Sequence, residues 1–381
     1  MDFFDQEAHA KRQTRLLLCL FGLAVSGFVV LTYLILAAPI RFFSPATATS
    51  TTFLQWIWDP QLACWVTVGT LISVALGCFY KLHLLASGGP AVAELLGGRK
   101  IGENCPDPDE QRLRDVVEEM AVASGLPAPG VYVLDRERGI NAFAAGHTRN
   151  DVAIGITLGA LKLLTRDELQ GVVAHEFSHV LNGDTRSNMK LMALAHGLFW
   201  PTIVGRILVR GTTRAPEIGE SIFDEGTPPV FLPTAPLGAL FLIIGGISSP
   251  LVRLLKCLIC REREWLADAA AVQFTRNPAG IEGALTKIGG LFKQGRLDTP
   301  TAETASHLCF VNSAYDPWLG FLSTHPPLSK RILAIDPAFD GQFPHLQSLP
   351  PPTPDISGEA QYDQKYDETL RRAREEAKER G

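Results

Sequence analysis

Two long uncharged runs near the start of the chain constrain its fold more than any other feature. Residues 16–38 and 62–80 contain no Asp, Glu, Lys or Arg, and a helix of about 20 apolar residues can cross the hydrocarbon core of a bilayer. The sequence therefore predicts a transmembrane hairpin over residues 1–85. Basic residues flank the outer ends of this hairpin and are sparse in its loop. The positive-inside rule accordingly puts both ends, and the chain that follows, in the cytoplasm.

A second constraint is the stretch at 172–184, VVAHEFSHVLNGD, which carries the pattern His-Glu-x-x-His. On a helix, His175 and His179 are four positions apart and share one face, so both imidazoles can bind one metal ion. Glu176 can lean over the open coordination position and accept a proton from a water bound there. The motif therefore predicts a hydrolytic metal site, with two histidine ligands and Glu176 as the general base.

The residues around this motif favour a helix. Thr165 and Glu168 have the spacing of a capping box, and Asn182 with Gly183 offers a left-handed C-cap. Apolar residues recur between these ends at helical spacing. The alternative is a helix with two solvated histidines. It is disfavoured because the helix is otherwise apolar and a buried pair of histidines needs a partner.

The third protein ligand has to come from elsewhere in the chain, because a catalytic zinc site has three protein ligands and a water. The best candidate is Glu264 in the stretch REREWLADAAA. Asp268 follows one helical turn later and can hold the far nitrogen of a ligand histidine, which fixes the tautomer of that ring. The alternative is a solvated acidic face, and the apolar neighbours of the pair argue against it.

Two further apolar segments are ambiguous. Residues 189–209 include charged side chains and a histidine, whereas residues 230–252 are uncharged but interrupted by prolines. If Glu264 and the two histidines share one metal, the chain between them crosses the membrane twice or not at all. The sequence leaves open whether these segments form a second hairpin or buried or interfacial helices.

The remaining sequence predicts a mainly α fold (α+β) with a small β-sheet. Residues 86–336 form the expected metallopeptidase domain, which begins with a glycine-rich linker over 86–102. Residues 337–381 are expected to be a Pro-rich linker and a charged tail. Inside the domain, apolar periodicity predicts short extended segments at 131–134, 141–146 and 151–155, and helices at 107–124, 262–275 and 277 to about 293.

Composition excludes several classes of function. Charged residues make up 20% of the chain and the net charge is -5, so neither nucleic acid nor another strongly charged partner is indicated. The seven cysteines are odd in number and scattered, which favours buried thiols over a disulfide framework. Cys257 and Cys260 form a Cys-x-x-Cys pair. No second pair accompanies it, so packing is favoured over a metal or redox role.

Three motifs, HEFSHVLNGD, REREWLAD and THPPLSKRI, together resemble the HtpX-type branch of the membrane zinc endopeptidases, which is related to the CAAX prenyl proteases. The similarity covers about residues 88–336 and the two leading apolar runs. It implies a zincin-like metallopeptidase domain with a small sheet, one Zn²⁺ per chain and a multi-pass anchor in the bacterial inner membrane. It also implies cytoplasmic proteolysis of membrane proteins in quality control.

By matching position, the resemblance implies specific roles around the metal. The zinc ligands would be His175, His179 and Glu264. Glu176 would be the general base, and Asp268 would contact a metal ligand without binding the metal itself.

Two further segments match the family. His325 and Arg331 fall on a pair near the zinc, where a donor can stabilise an oxyanion. The alternative is a loop histidine held against proline. The stretch NAFAAG resembles the edge strand that pairs with an extended substrate, since such an edge presents free backbone donors and acceptors. The alternative is an ordinary hairpin strand. The candidate substrate-binding residues are Asn141, Ala142, Phe143 and Ala144.

The function predicted from these features is a membrane-anchored, zinc-dependent endopeptidase that cleaves protein or peptide substrates with metal-activated water. The alternative is a non-catalytic, zinc-stabilised membrane scaffold or chaperone. Such a site would need its fourth position closed by a protein ligand, and the intact Glu176 argues against it. A transporter would need ionisable residues inside the first two spans, which have none. The oligomeric state is not indicated.

Overall fold

The computed structural model of the chain describes residues 3–42, 57–102, 105–210, 235–291, 295–297, 305–311, 323–347 and 349. These residues form a mainly helical protein with one small mixed sheet, which confirms the predicted fold class. Its elements in chain order are α1 Phe3–Phe42, α2 Pro60–Leu84, α3 Gly89–Leu95, β1 Arg99–Lys100, α4 Pro108–Ser124, β2 Gly130–Leu134, β3 Ala142–Ala145, β4 Ala153–Thr157, α5 Leu158–Leu163, α6 Arg166–Leu181, α7 Asp184–Arg210, α8 Ala235–Thr275, α9 Pro278–Gly290 and α10 Leu328–Ile335.

Four helices in the described part of the chain, α1, α2, α7 and α8, are long and apolar enough to cross a membrane. The apolar windows of α1 and α2, Leu18–Ala38 and Pro60–Leu84, coincide with the two expected spans. Their outer surfaces carry large exposed apolar side chains such as Leu23, Trp65 and Phe79. Such surfaces would be unfavourable in water and suit contact with lipid.

Within the described residues, both ambiguous apolar segments are helical, over 189–209 and 235–252. Helix α7 packs closely on α2, since a Cβ added at Gly197 would lie 2.3 Å from the Cys78 sulfur. It packs equally closely on α8, where a Cβ added at Gly245 would lie 2.1 Å from the Thr202 hydroxyl. These glycines let the helix backbones approach one another, as small residues commonly do between membrane helices.

Helix α8 is a single element of 41 residues, whereas the sequence analysis expected an apolar segment and a separate helix at 262–275. The helix tolerates Pro250 and continues because residues 251–262 contain no glycine or further proline. At 1.5 Å per residue its length is about 62 Å, roughly twice the thickness of the hydrocarbon core. Helix α8 therefore extends well beyond any bilayer that it crosses, and Glu264 lies in its last third.

The sheet has the strand order β1-β2-β4-β3. Strands β2 and β4 are parallel, and the two outer strands are antiparallel to their neighbours. In the pairing of β3 with β4, Phe143 lies opposite Gly155, where a Cβ would lie 2.0 Å from the phenyl ring. Glycine at 155 therefore makes room for Phe143. Strand β3 is at the edge of the sheet and lies beside α6.

Several boundaries differ from the sequence expectations. The stretch at 86–102 is not a linker, because it contains α3 and β1. Residues just after 336 are not a free linker either, since Phe339, Phe343 and Leu346 pack against the main core. The folded unit runs to Ser348, and the charged tail lies outside the described residues. The third extended segment is found at Ala153–Thr157, two residues later than expected.

Candidate active site

Helix α6 has the ends that its sequence predicts. Thr165 Oγ1 accepts a hydrogen bond from the Glu168 N–H, and Glu168 Oε2 accepts one from the Thr165 N–H at 2.7 Å. Gly183 follows the helix with φ +73°. The capping box and the left-handed glycine are thus confirmed. Residues 171–180 of the helix are all buried, and Gly171 touches the backbone of α9.

The two histidines of α6 face each other across a short gap. Their Nε2 atoms are 3.2 Å apart. On the far side of each ring, His175 Nδ1 lies 2.9 Å from Asp268 Oδ1, and His179 Nδ1 lies 3.1 Å from Asp184 Oδ2. A carboxylate beside Nδ1 favours the proton on that nitrogen and leaves a lone pair on Nε2. Two lone pairs that face each other repel, unless a proton or a metal cation lies between them.

Glu264 completes this cluster from α8. Its Oε2 is 3.7 Å from His175 Nε2 and its Oε1 is 3.6 Å from His179 Nε2. All three side chains are buried, and their ligand atoms lie within 4.8 Å of one another. Ligands at tetrahedral angles and 2.0–2.1 Å from one ion lie about 3.3 Å apart. The three residues therefore fit a single small metal ion.

Burial and neighbouring charges together set the pKa values of the residues in the cluster. Burial raises the pKa of Glu176 to about 8, although the nearby His179 opposes the shift. It lowers the pKa of His175 to about 4. In His179 the effect of burial is outweighed by the Asp184 hydrogen bond and the Glu264 charge, which raise its pKa to about 9. A divalent cation between the rings would displace the His179 proton and favour the ionised form of Glu176.

Arg331 lies behind the cluster and is fully buried. Its Nε and Nη2 donate hydrogen bonds of 2.8 and 2.6 Å to the two oxygens of Asp268, and its Nη1 donates one of 2.7 Å to the Phe310 carbonyl. Nη1 also lies 3.5 Å from Glu264 Oε2. The guanidinium therefore compensates two buried carboxylates, one of which holds a histidine.

His325 is also buried beside the cluster. Its Nδ1 lies 2.9 Å from Glu264 Oε2, and its Nε2 lies 3.2 Å from the Ser306 carbonyl. Both ring nitrogens thus face protein oxygens in this conformation. A role for His325 as a donor to an oxyanion remains a prediction.

The outer edge of β3 contacts a segment of the same chain, Ala305–Val311, which we call the strap. Cys309 of the strap forms an antiparallel bridge with Phe143. The Phe310 N–H donates a hydrogen bond of 2.8 Å to the Ala142 carbonyl. The edge expected to receive substrate is therefore paired with the strap.

Asn141 fastens the strap to the sheet. It is 1% exposed, and its Nδ2 donates hydrogen bonds to the carbonyls of Gly295 and Val311 at 2.6 and 3.2 Å. Its Oδ1 accepts one from the Val311 N–H at 3.3 Å. The Phe310 ring, next in the strap, packs edge-on against His175 with centroids 4.8 Å apart. The strap is thus packed directly onto the candidate metal cluster.

Asp184, Arg263 and the strap were not predicted from the sequence. Asp184 begins α7, where an acidic residue is readily explained by the helix dipole, so its position gave no separate signal. Arg263 was one of several charges in a polar stretch. The strand-like contact between residues 143 and 309 joins parts of the chain that are far apart in sequence, and no local sequence pattern predicts it.

Comparison with known proteins identifies the family. The sequence profile of Peptidase family M48 matches residues 107–338, more than half of the chain. The chain belongs to peptidase family M48. The match includes the candidate metal cluster, together with β3 and the strap. As an M48 peptidase whose described residues include four long apolar helices, the protein is a membrane-anchored metalloprotease, and the predicted resemblance to HtpX-type proteases is confirmed.

Relatives of this M48 peptidase cover most of its length. The protease HtpX homolog of Streptococcus pneumoniae serotype 19F is 30% identical over 338 residues, which is 86% of this chain and 97% of the relative. The protease HtpX homolog of Streptococcus uberis is 30% identical over 269 residues, 69% of this chain and 84% of the relative. Among solved structures, the crystal structure of S. mikatae Ste24p aligns with a TM-score of 0.40 and 19% identity, covering 70% of this chain and 58% of that one.

Proposed function

We propose that this M48 peptidase is a zinc endopeptidase whose metal is held by His175, His179 and Glu264. The observation that carries the proposal is the 3.2 Å approach of the two Nε2 atoms, each on a ring whose Nδ1 faces a carboxylate. The donor set, two imidazoles and one carboxylate, is typical of catalytic zinc, which keeps one position open for water. When bound there, zinc lowers the pKa of its water from near 16 to about 7 and polarises a carbonyl oxygen.

Glu176 is the proposed general base. Its carboxylate is fully buried on the helix that carries both histidines, and the charges of His179 and Glu264 act on it, so a water held by the metal would be close to it. It accepts a proton from the attacking water and passes it to the departing amine. Asp268 keeps the His175 proton on Nδ1, and Arg331 keeps Asp268 charged. His325 would orient Glu264 and, once the strap has moved, supply a donor to the oxyanion.

An extended substrate would pair with β3 along Asn141, Ala142, Phe143 and Ala144. The backbone N–H of Ala144 contributes to the electrostatic environment of the Glu176 carboxylate, so a peptide paired with this edge would run past the proposed base. The strap occupies the same edge through the bridge to Phe143. Substrate binding therefore requires the strap to leave β3, and the peptide replaces its backbone hydrogen bonds.

Displacement of the strap by a peptide can be tested at Cys309, whose side chain is only 3% exposed while the strap is packed on β3. In the Glu176→Gln variant, a peptide substrate should raise the rate of Cys309 alkylation at least severalfold, measured by peptide mapping. Cys105 is buried outside the strap and is the matched internal control. Equal rates with and without peptide, in a variant that binds the peptide, would contradict pairing along this edge.

The setting proposed for this activity is the cytoplasmic face of the bacterial inner membrane, with membrane proteins as substrates in quality control. Support comes from the basic residues that flank the first two spans and from the protease HtpX homologues at 30% identity. Helix α8 adds support, because it continues from an apolar stretch directly into the turn that carries Glu264. The active site would thus lie near the membrane surface, within reach of loops that emerge from the bilayer.

The test is proteolysis by the purified, detergent-solubilised protein, with casein and a membrane protein as substrates. We expect cleavage that stops with a chelator, returns with added zinc and is lost in Glu176→Gln. Glu118→Gln, an exposed change on α4, is the matched control and should cleave like the wild type. Retained cleavage in Glu176→Gln would exclude it as the base. Tight zinc binding without cleavage in the wild type would favour a scaffold instead.

A further inference from the structure

A buried ion pair lies behind His179, on the side of the ring opposite the candidate metal position. Asp184 is 2% exposed and Arg263 is 8% exposed. Asp184 Oδ2 is 3.1 Å from His179 Nδ1, and Asp184 Oδ1 is 3.3 Å from Arg263 Nε. The two oxygens of one carboxylate therefore join the histidine to the guanidinium.

This arrangement matches the one behind the other histidine. His175 faces Asp268, and Asp268 is held by Arg331. In both cases an imidazole Nδ1 faces a carboxylate, and the same carboxylate faces an arginine. The two pairs come from different elements, since Asp184 begins α7 whereas Asp268 is on α8. The repetition of one chemical arrangement from different parts of the chain indicates that each histidine needs it.

Arg263 also connects the elements that carry the candidate ligands. It immediately precedes Glu264 on α8, and its Nη1 donates a hydrogen bond of 3.2 Å to Asn188 Oδ1 on α7. The first turns of α7, which follow the histidine helix α6, are thus hydrogen-bonded to α8, the helix that carries the third ligand. A change in Arg263 would alter both the orientation of Asp184 and the distance from α7 to α8.

We propose that Asp184 and Arg263 are positioning residues for His179, and the proposal rests on the metal site proposed above. Asp184 keeps the proton on Nδ1, so that Nε2 offers its lone pair to the metal. Arg263 holds the Asp184 carboxylate in its orientation toward the ring. Partners of this kind behind a ligand histidine typically change metal affinity by about 10–100-fold when they are removed.

Asp184→Asn separates this role from a merely structural one. Asparagine has nearly the same shape and still suits the start of a helix, but it has no charge, and its amide can turn either an oxygen or an NH2 group toward the ring. We expect zinc to leave this variant about 10–100-fold faster than the wild type, measured by transfer to a chromogenic chelator. Arg263→Gln should act in the same direction. Arg263→Lys, which keeps the charge, should restore part of the loss.

The matched control is Asp135→Asn, because Asp135 also pairs with an arginine but at the surface, and its zinc release should equal that of the wild type. Thermal unfolding of the metal-free variants checks that they fold. Zinc release from folded Asp184→Asn within twofold of the wild-type rate would overturn the positioning role. Absence of cleavage in a zinc-binding wild type would overturn the proposed function alone, and a wild type that binds no zinc would overturn both.

Discussion

Arg331→Met offers the sharpest test of how the buried charges hold the site together. The guanidinium is fully buried and makes two hydrogen bonds to Asp268. Methionine fills similar space but leaves Asp268 without its cation. Breaking a buried ion pair by removing one partner typically costs about 3–5 kcal/mol, because the remaining charge is desolvated and uncompensated.

The cost can be read as a shift in melting temperature. For a folded unit of a few hundred residues, 1 kcal/mol corresponds to about 2–4 °C. We therefore expect Arg331→Met to melt about 10 °C below the wild type in detergent with excess chelator, so that metal binding does not contribute. Arg166→Met is the matched control. Arg166 pairs with Glu119, and both side chains are almost half exposed, so its loss should cost less than about 1 kcal/mol.

A double-mutant cycle identifies the source of the effect. If the cost of Arg331→Met arises from the stranded Asp268 charge, Asp268→Asn in the same chain should recover a substantial part of it. The reasoning fails if Arg331→Met melts within about 2 °C of the wild type. It also fails if the two substitutions are simply additive, because the ion pair would then contribute nothing specific.

Two further predictions concern the strap and the sheet. Burial lowers the pKa of His307 well below its usual value. As the pH falls below about 6.5, the His307 ring therefore gains a proton in the released strap but stays neutral in the packed strap. The packed state should lose up to about 1.4 kcal/mol per pH unit. Cys309 alkylation should then rise relative to the buried control cysteine, and a pH-independent ratio would refute this. Gly155→Ala should destabilise the protein by about 1–3 kcal/mol in thermal unfolding through its clash with the Phe143 ring. Gly102→Ala, with open space around its Cβ position, should melt like the wild type, and equal melting of both variants would refute the packing argument.

The features that were predicted correctly depend on the spacing of residues that are close together in the sequence. The capping box at Thr165 and the glycine at 183 involve residues within one turn of each other, so their geometry follows from spacing alone. Glu264 and Asp268 are one helical turn apart, which puts both on one face before any tertiary structure is known. In the structure this face meets the histidine helix, with both side chains beside His175.

What the sequence could not predict depends on contacts between distant residues. The strap reaches β3 across more than 160 residues, and its fastening residue Asn141 looked like part of a substrate-binding strand. The continuity of α8 was missed because Pro250 suggested a break, whereas packing against α7 keeps the helix intact. Asp184 and Arg263 were missed because their pairing needs two elements whose relative placement only the fold determines.

Helix α8 also links the chemistry to the lipid. From Pro250 to Glu264 is 14 residues, about 21 Å along a rod with no loop in it. A pivot of only about 5° at the proline would carry the carboxylate roughly 2 Å, ten times the tolerance of about 0.2 Å on a metal–ligand bond. A helix whose hydrophobic stretch is longer than the local bilayer is thick can adjust to the mismatch by tilting. If Glu264 holds the metal as proposed, a change in the thickness of the surrounding bilayer would therefore be transmitted along α8 to the metal site.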